Sequence, residues 1–281
     1  MLEANSVDEV FSATALRNLL HGRLSAQLRD LADEACNGQG HTERCARLGD
    51  VLELAYRRLA KSRRSEYFYK NQIISHAVAR GSSSRLSVFS EFRVGGCRAD
   101  LLLVRGSAQI FEIKSEYDDF SKASKQVAAY YSAFKIVSFV IHQSHLDSAM
   151  EALPADCGIF TVTPRAALRA IRAPRETSSQ LSSQAIFDCL LGAEQDELLA
   201  TSGISNSWSY EECLSSVAEL PIERLYSFFV KKLSMRNKRR VFQRGMDVPP
   251  YLAAAAHSYQ LRISDWERLL SILDTTVSSH I

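Results

Sequence analysis

Apolar residues recur three and four positions apart from Ala15 to Leu31 (Leu16, Leu19, Leu20, Leu24, Leu28), the spacing that puts one stripe along a helix. The Gly-containing loop Asn37-Gly38-Gln39-Gly40 ends that stretch. A second helix is predicted over about 43–60, with Leu48, Val51, Leu52, Leu54, Ala55 and Leu59 on its apolar side. Ser65 reads as the N-cap of a third helix, from Glu66 to about Ala79, closed by Gly81. The period then changes. SVFSEFRV (87–94), RADLLLV (98–104) and AQIFEIK (108–114) are predicted strands joined by turns at Gly95-Gly96 and 105–107, which makes them an antiparallel meander. The nearly continuous apolar run of the second suits a central position.

A helix over about 119–134 precedes a fourth strand, KIVSFVIH (135–142), and a short helix over 146–153 precedes a fifth, 158–162. A strand–helix–strand unit needs a crossover, so the fourth strand is expected to pair in parallel with an earlier one. The fold class is therefore α/β: a mixed sheet of about five strands between helices. Pro174 and several Ser and Thr residues make 166–184 read as a linker. The expected division is a helical region over 1–64, the α/β core over 65–165, the linker, and a second helical region over 185–281, interrupted at Pro221.

Composition changes this picture little. The 281 residues allow one or two domains, and 46% hydrophobic with 23% charged residues is ordinary for a globular protein. A net charge of +2 does not mark a nucleic-acid binder, so local clusters must carry that argument. One runs from Arg57 and Arg58 through Lys61 to Arg63 and Arg64; the other holds Arg236, Lys238, Arg239, Arg240 and Arg244. The first suits a helix C-terminus as well as it suits a phosphate. No basic start followed by an apolar run stands at the N-terminus, and no run approaches a membrane span, so a cytoplasmic protein with no membrane partner is expected. Six cysteines without a CxxC pair fit reduced thiols. Cys36, His41 and Cys45 resemble part of a zinc knuckle but lack a fourth ligand, and His142 and His145 read as structural or solvent-facing.

The chemistry concentrates in the second and third strands. If Val104 faces Ala108, Asp100 faces Glu112 and both carboxylates lie on one side of the sheet; a register one residue longer separates them. Lys114, two residues beyond Glu112, shares its face. Charges among Leu101, Leu103, Ile110, Phe111 and Ile113 are costly unless paired or metal-bound. A cross-strand salt bridge is the bland alternative. Hard oxygen ligands (Asp100, Glu112 and the Ile113 carbonyl) select Mg²⁺ or Mn²⁺, which suits phosphodiester hydrolysis, with Lys114 orienting water or stabilising developing charge.

This set resembles the PD-(D/E)XK nuclease superfamily: Asp100, then Glu112-Ile113-Lys114, with the hairpin between and Ala99 where a proline often stands. The likeness covers about residues 66–163. It implies a restriction-endonuclease-like core with N- and C-terminal helical additions. It also implies an acidic metal contact on the preceding helix, which Glu66 matches; a first-turn glutamate stabilising the helix dipole is the alternative. Glu91 is a second candidate for that role. Gln126, on the following helix, matches a polar residue near the metal or phosphate, while Tyr130 and Tyr131 read as packing. The blocks SEYFYKNQI, SEFRVG, ADLLLV, FEIKSEYDDF and KQVAAYY also look like a little-characterised bacterial family of this superfamily, whose genomic neighbourhoods suggest mobile elements and phage defence. The expected function is a divalent-metal-dependent DNA endonuclease without a nucleotide cofactor. RNA stands as an alternative substrate and a homodimer as an option. Arg63, Arg64, Lys70, Lys238, Arg239 and Arg240 are the candidate backbone contacts. The competing reading is an inert nuclease-fold binding module that neutralises a toxin or binds nucleic acid.

Overall fold

Where the apolar spacing changes from helical to alternating, the computed structural model changes unit: Met1–Gly81 with Arg239–Ile281 form one, Ser82–Lys238 the other. The described residues are 7–37, 46–62, 65–81, 86–163, 165–205, 209–236, 246–259 and 261–277. In chain order the elements are α1 (Ala13–Leu20), α2 (Ala26–Asn37), α3 (Leu48–Ser62), α4 (Glu66–Ala79), β1 (Ser87–Val94), β2 (Cys97–Arg105), β3 (Ser107–Lys114), α5 (Ala123–Ala133), β4 (Ile136–Ile141), α6 (Leu146–Ala152), β5 (Gly158–Val162), β6 (Leu168–Arg172), α7 (Ser183–Asp188), α8 (Gly192–Thr201), α9 (Tyr210–Ala218), α10 (Ile222–Arg236), α11 (Ala253–Ser258) and α12 (Ile263–Leu273).

The first unit is helical. Ser12 and Ser65 cap α1 and α4, their hydroxyls accepting from the N–H groups of Ala15 (3.1 Å) and Phe68 (3.2 Å). Helix α4, expected beside the α/β core, is fastened in this unit instead. Buried Asn71 donates to the Pro250 carbonyl and accepts from the Ala254 N–H, both at 2.8 Å, and the Tyr67 hydroxyl donates to the Tyr251 carbonyl. Those three bonds satisfy backbone groups at the start of α11, which explains why a helix with apolar residues all round ends up here.

The second unit is a mixed six-stranded sheet in the order β1-β2-β3-β4-β5-β6. Strands β1, β2 and β3 form the expected meander, β3, β4 and β5 are mutually parallel, and β6 returns antiparallel to β5. The sixth strand lies in the stretch read as a linker. Its RAIR pattern has no buried alternation, because an edge strand is held by its backbone ladder and, here, by Arg172, whose guanidinium donates to the carbonyls of Cys157 and Pro154 at 2.8 Å. On one face, Leu102, Val104, Ala108, Ile110, Val137, Phe139 and Ile159 pack under α5 and α7–α10. Residues 183–236 thus complete the core of the sheet unit rather than forming a separate region.

Among the described residues no helix is long and apolar enough to cross a membrane. Cys97, Cys157, Cys189 and Cys213 are not joined in disulfides; His41, Cys45 and the Cys36 side chain lie outside the described residues.

Candidate active site at the fork between β2 and β3

The β2–β3 hairpin turns on Gly106, at φ +76°, and Val104 faces Ala108. This is the register that places Asp100 opposite Glu112. The ladder stops at Leu101–Phe111, although β2 reaches back to Cys97 and β3 runs on to Lys114. Past that rung β2 pairs with β1 and β3 with β4, so the strands fork. The fork is held by a side chain: Asp100 Oδ2 accepts the Ile113 N–H at 2.6 Å.

Even-numbered residues of β3 face α5, and Glu112 and Lys114 continue the row of Ala108 and Ile110. Both are buried, 4% and 8% exposed, with Lys114 Nζ 3.5 Å from Glu112 Oε1. Gln126 Nε2 donates to the same Oε1. The Tyr130 hydroxyl lies 2.7 Å from Glu112 Oε2 and 2.9 Å from the Arg98 carbonyl. Burial pushes the Glu112 carboxyl above its ordinary range, against the opposing pull of Tyr130, Lys114 and Gln126. Burial, then the charge of Glu112, drives the Tyr130 hydroxyl far above its own, so it keeps its proton and donates. Tyr130, expected from the sequence to be packing, is core and also brings its hydroxyl to Glu112. The available signal was its place one turn beyond Gln126, on the same side of the helix.

Opposite Asp100 on β1 stands Glu91, where the chain leaves the extended conformation for φ +57°, uncommon for a residue other than glycine. The register is the same on both sides of it, with Ser90 facing Leu101 and Phe92 facing Ala99. Glu91 and Asp100 bring carboxylate oxygens within 4.8 Å of one another, and Arg98 Nη1 lies 3.7 Å from Glu91 Oε2. Two carboxylates this close fit a hard divalent cation. A second observation agrees: Gln126 Oε1 is buried with no hydrogen-bond partner among the described residues, while the nitrogen of the same amide holds Glu112. An acceptor so placed suits a water or cation beside Glu112.

The other expected residues divide. Glu66 opens α4 in the helical unit and pairs with Lys70, an i,i+4 ion pair. The Lys70 side chain is 14% exposed, its ammonium turned to Glu66. Arg63, Arg64, Lys238, Arg239 and Arg240 lie outside the described residues. Of the two histidines, His145 is structural: its Nε2 contacts the carbonyls of Ser115 (2.9 Å) and Glu116 (3.1 Å).

Residues 60–247 match the model of the family described as Bacteriophage P4 protein cII, a span that contains the whole of the sheet unit. Protein cII of Enterobacteria phage P4 is 25% identical over 173 residues, covering 59% of this chain and 66% of that protein, just under two thirds of its length. No solved structure matches.

Proposed function

We propose that this chain, which belongs to the bacteriophage P4 protein cII family, is a divalent-metal-dependent nuclease that hydrolyses phosphodiester bonds in DNA. The observation that carries this reading is the fork. Two strands part where Asp100 and Glu112 face each other, and the Asp100 carboxylate bonds the N–H inside the Glu112-Ile113-Lys114 run. A salt bridge built only for stability would need Glu112 and Lys114. It would need neither Asp100 beside them nor a second carboxylate, Glu91, within 4.8 Å. On this reading the core is restriction-endonuclease-like, and the phage relative supports a mobile-element setting.

Asp100, Glu91 and Glu112 are the residues that would hold Mg²⁺ or Mn²⁺, whose contribution is to offset negative charge at the reacting phosphate. The chain's own groups do the rest. The Ile113 N–H aims Asp100; Tyr130 and Gln126 fix Glu112; and Lys114 presents N–H donors to the attacking water or to the phosphate oxygens. Partial exclusion of water around Glu112 and Lys114 strengthens each of these interactions. The test is divalent-dependent cleavage of plasmid and branched DNA by the intact chain, Asp100→Asn and Lys114→Ala. Cleavage by the intact chain alone supports the reading, and equal behaviour of all three removes it.

A further inference from the structure

The sheet ends in a basic edge. From Cys157 to Arg175 the chain carries four arginines and no acidic residue. Arg172 is committed to the carbonyls of Cys157 and Pro154. Arg165, Arg169 and Arg175 are exposed, and their side chains have no hydrogen bond or ion pair among the described residues. The turn that carries Arg165 is tied across its ends. The Thr163 N–H donates to the Ala167 carbonyl at 2.9 Å, and the Ala167 N–H donates to Thr163 Oγ1 at 3.1 Å. The register places Arg169. Lys114 faces Ile141, Ile141 faces Thr161 and Thr161 faces Arg169, which makes one row on one side of the sheet. Three strand spacings put Arg169 about 14 Å from Lys114 along that row. Arg165, in the turn before β6, stands past the same end of the sheet.

Charge decides what this edge meets. The fork is acidic, and Glu116, Asp118 and Asp119 follow it in the chain, so a polyanion reaching Lys114 needs attraction from beyond them. Strand β6 supplies it. Charged side chains also keep an outermost strand from pairing with another, and two such basic edges repel, which disfavours a second copy as the occupant. A phosphate backbone is the complementary partner, because a guanidinium offers paired donors to phosphate oxygens. We propose that Arg165 and Arg169 hold the backbone of a DNA duplex about four base pairs from the phosphate to be cut, at a rise of about 3.4 Å per pair. This rests on reading Asp100, Glu112 and Lys114 as a nuclease site. Arg175 is equally exposed but takes no part: its N–H donates to the Asp156 carbonyl at 2.9 Å, at the opposite end of the sheet.

The test is equilibrium binding of the full chain to a labelled blunt duplex, without divalent metal and over a series of salt concentrations. Arg165→Ala and Arg169→Ala are each expected to lower the slope of log affinity against log salt by about one, and to weaken binding about 5- to 10-fold at about 0.1 M salt. Arg169→Lys should keep most of the slope because the charge remains. Arg175→Ala should keep all of it, and the melting temperature should stay the same throughout. A slope unchanged in both alanine variants, an equal drop in Arg175→Ala, tighter binding to phosphatidylserine vesicles than to the duplex, or no binding by the intact chain would each overturn the proposal. Metal-dependent cleavage measured alongside separates the two readings. A chain that cuts DNA but whose salt slope is indifferent to Arg165 and Arg169 sinks only the backbone contact; one that binds duplex through them without cutting sinks only the nuclease.

Discussion

Asp100 Oδ2 accepts the Ile113 N–H at 2.6 Å, just past the last rung of the β2–β3 ladder. That bond links the strand carrying Asp100 to the strand carrying Glu112 and Lys114 where their backbones part. It leaves Asp100 partly exposed while Glu112 sits in the interior. A cation entering the fork would therefore meet oriented carboxylates, and its binding would stabilise the folded chain. Mn²⁺ at a hundred times its dissociation constant is expected to add about 2.7 kcal/mol. Melting curves with and without Mn²⁺ check this: the intact chain should shift upward, and Asp100→Asn should shift much less.

Tyr130→Phe removes one hydroxyl and little volume, yet leaves Glu112 Oε2 without that donor. The expected cost is about 1.5–3 kcal/mol, the range for a hydrogen bond to a charged group. Urea unfolding measures it. Mn²⁺ affinity should fall as well, which distinguishes loss of Glu112 positioning from loss of packing.

Glu194 and Arg236 join α8 to α10 under the sheet, with Arg236 Nε donating to Glu194 Oε1 at 2.8 Å. Burial alone would push the Glu194 carboxyl up, but Arg236 and the Leu191 N–H outweigh it and hold it below its usual value of 4.5. A carboxyl depressed in the folded state adds stability above its unfolded value, and that stability is lost as pH falls through the folded value. Glu194→Gln should thus melt below the intact chain at pH 7, and the gap should close below about pH 4. Melting temperature against pH reads this directly.

Gly158 opens β5 against Ser138 on β4. A Cβ there would lie 2.5 Å from Ser138 Oγ and 3.0 Å from Pro174. Gly158→Ala is expected to cost about 1–3 kcal/mol, as overpacking does. Ser138→Ala in the same chain should recover part of that, measured as a double-mutant cycle.

The sheet was legible because its signals are local. Alternation and tight turns fixed β1–β3, and the crossover rule made β4 parallel to β3. The Asp100–Glu112 register needed only one turn length, which Val104–Ala108 pairing supplies. What escaped depends on distant partners. The bonds from Tyr67 and Asn71 to 250–254 decide that α4 joins the helical unit, and nothing within α4 announces them. Strand β6 has no fully buried residue and carries Pro174 just beyond its end, so its spacing is that of a loop; only its ladder to β5 reveals it. Glu91 stood in the sequence as one of two acidic candidates. Its left-handed backbone, which no spacing rule predicts, accompanies its approach to Asp100. Tyr130 looked like core because it is core: 0% exposed, with only its hydroxyl turned to Glu112.

The most direct test is the rate of plasmid cleavage by purified intact chain in Mg²⁺ or Mn²⁺, against EDTA and against Asp100→Asn and Lys114→Ala. The fork account predicts metal-dependent nicking or linearisation by the intact chain, and a loss of about 100-fold or more in each variant with folding preserved. Cleavage that persists in EDTA, or that is equal in all three proteins, would contradict it.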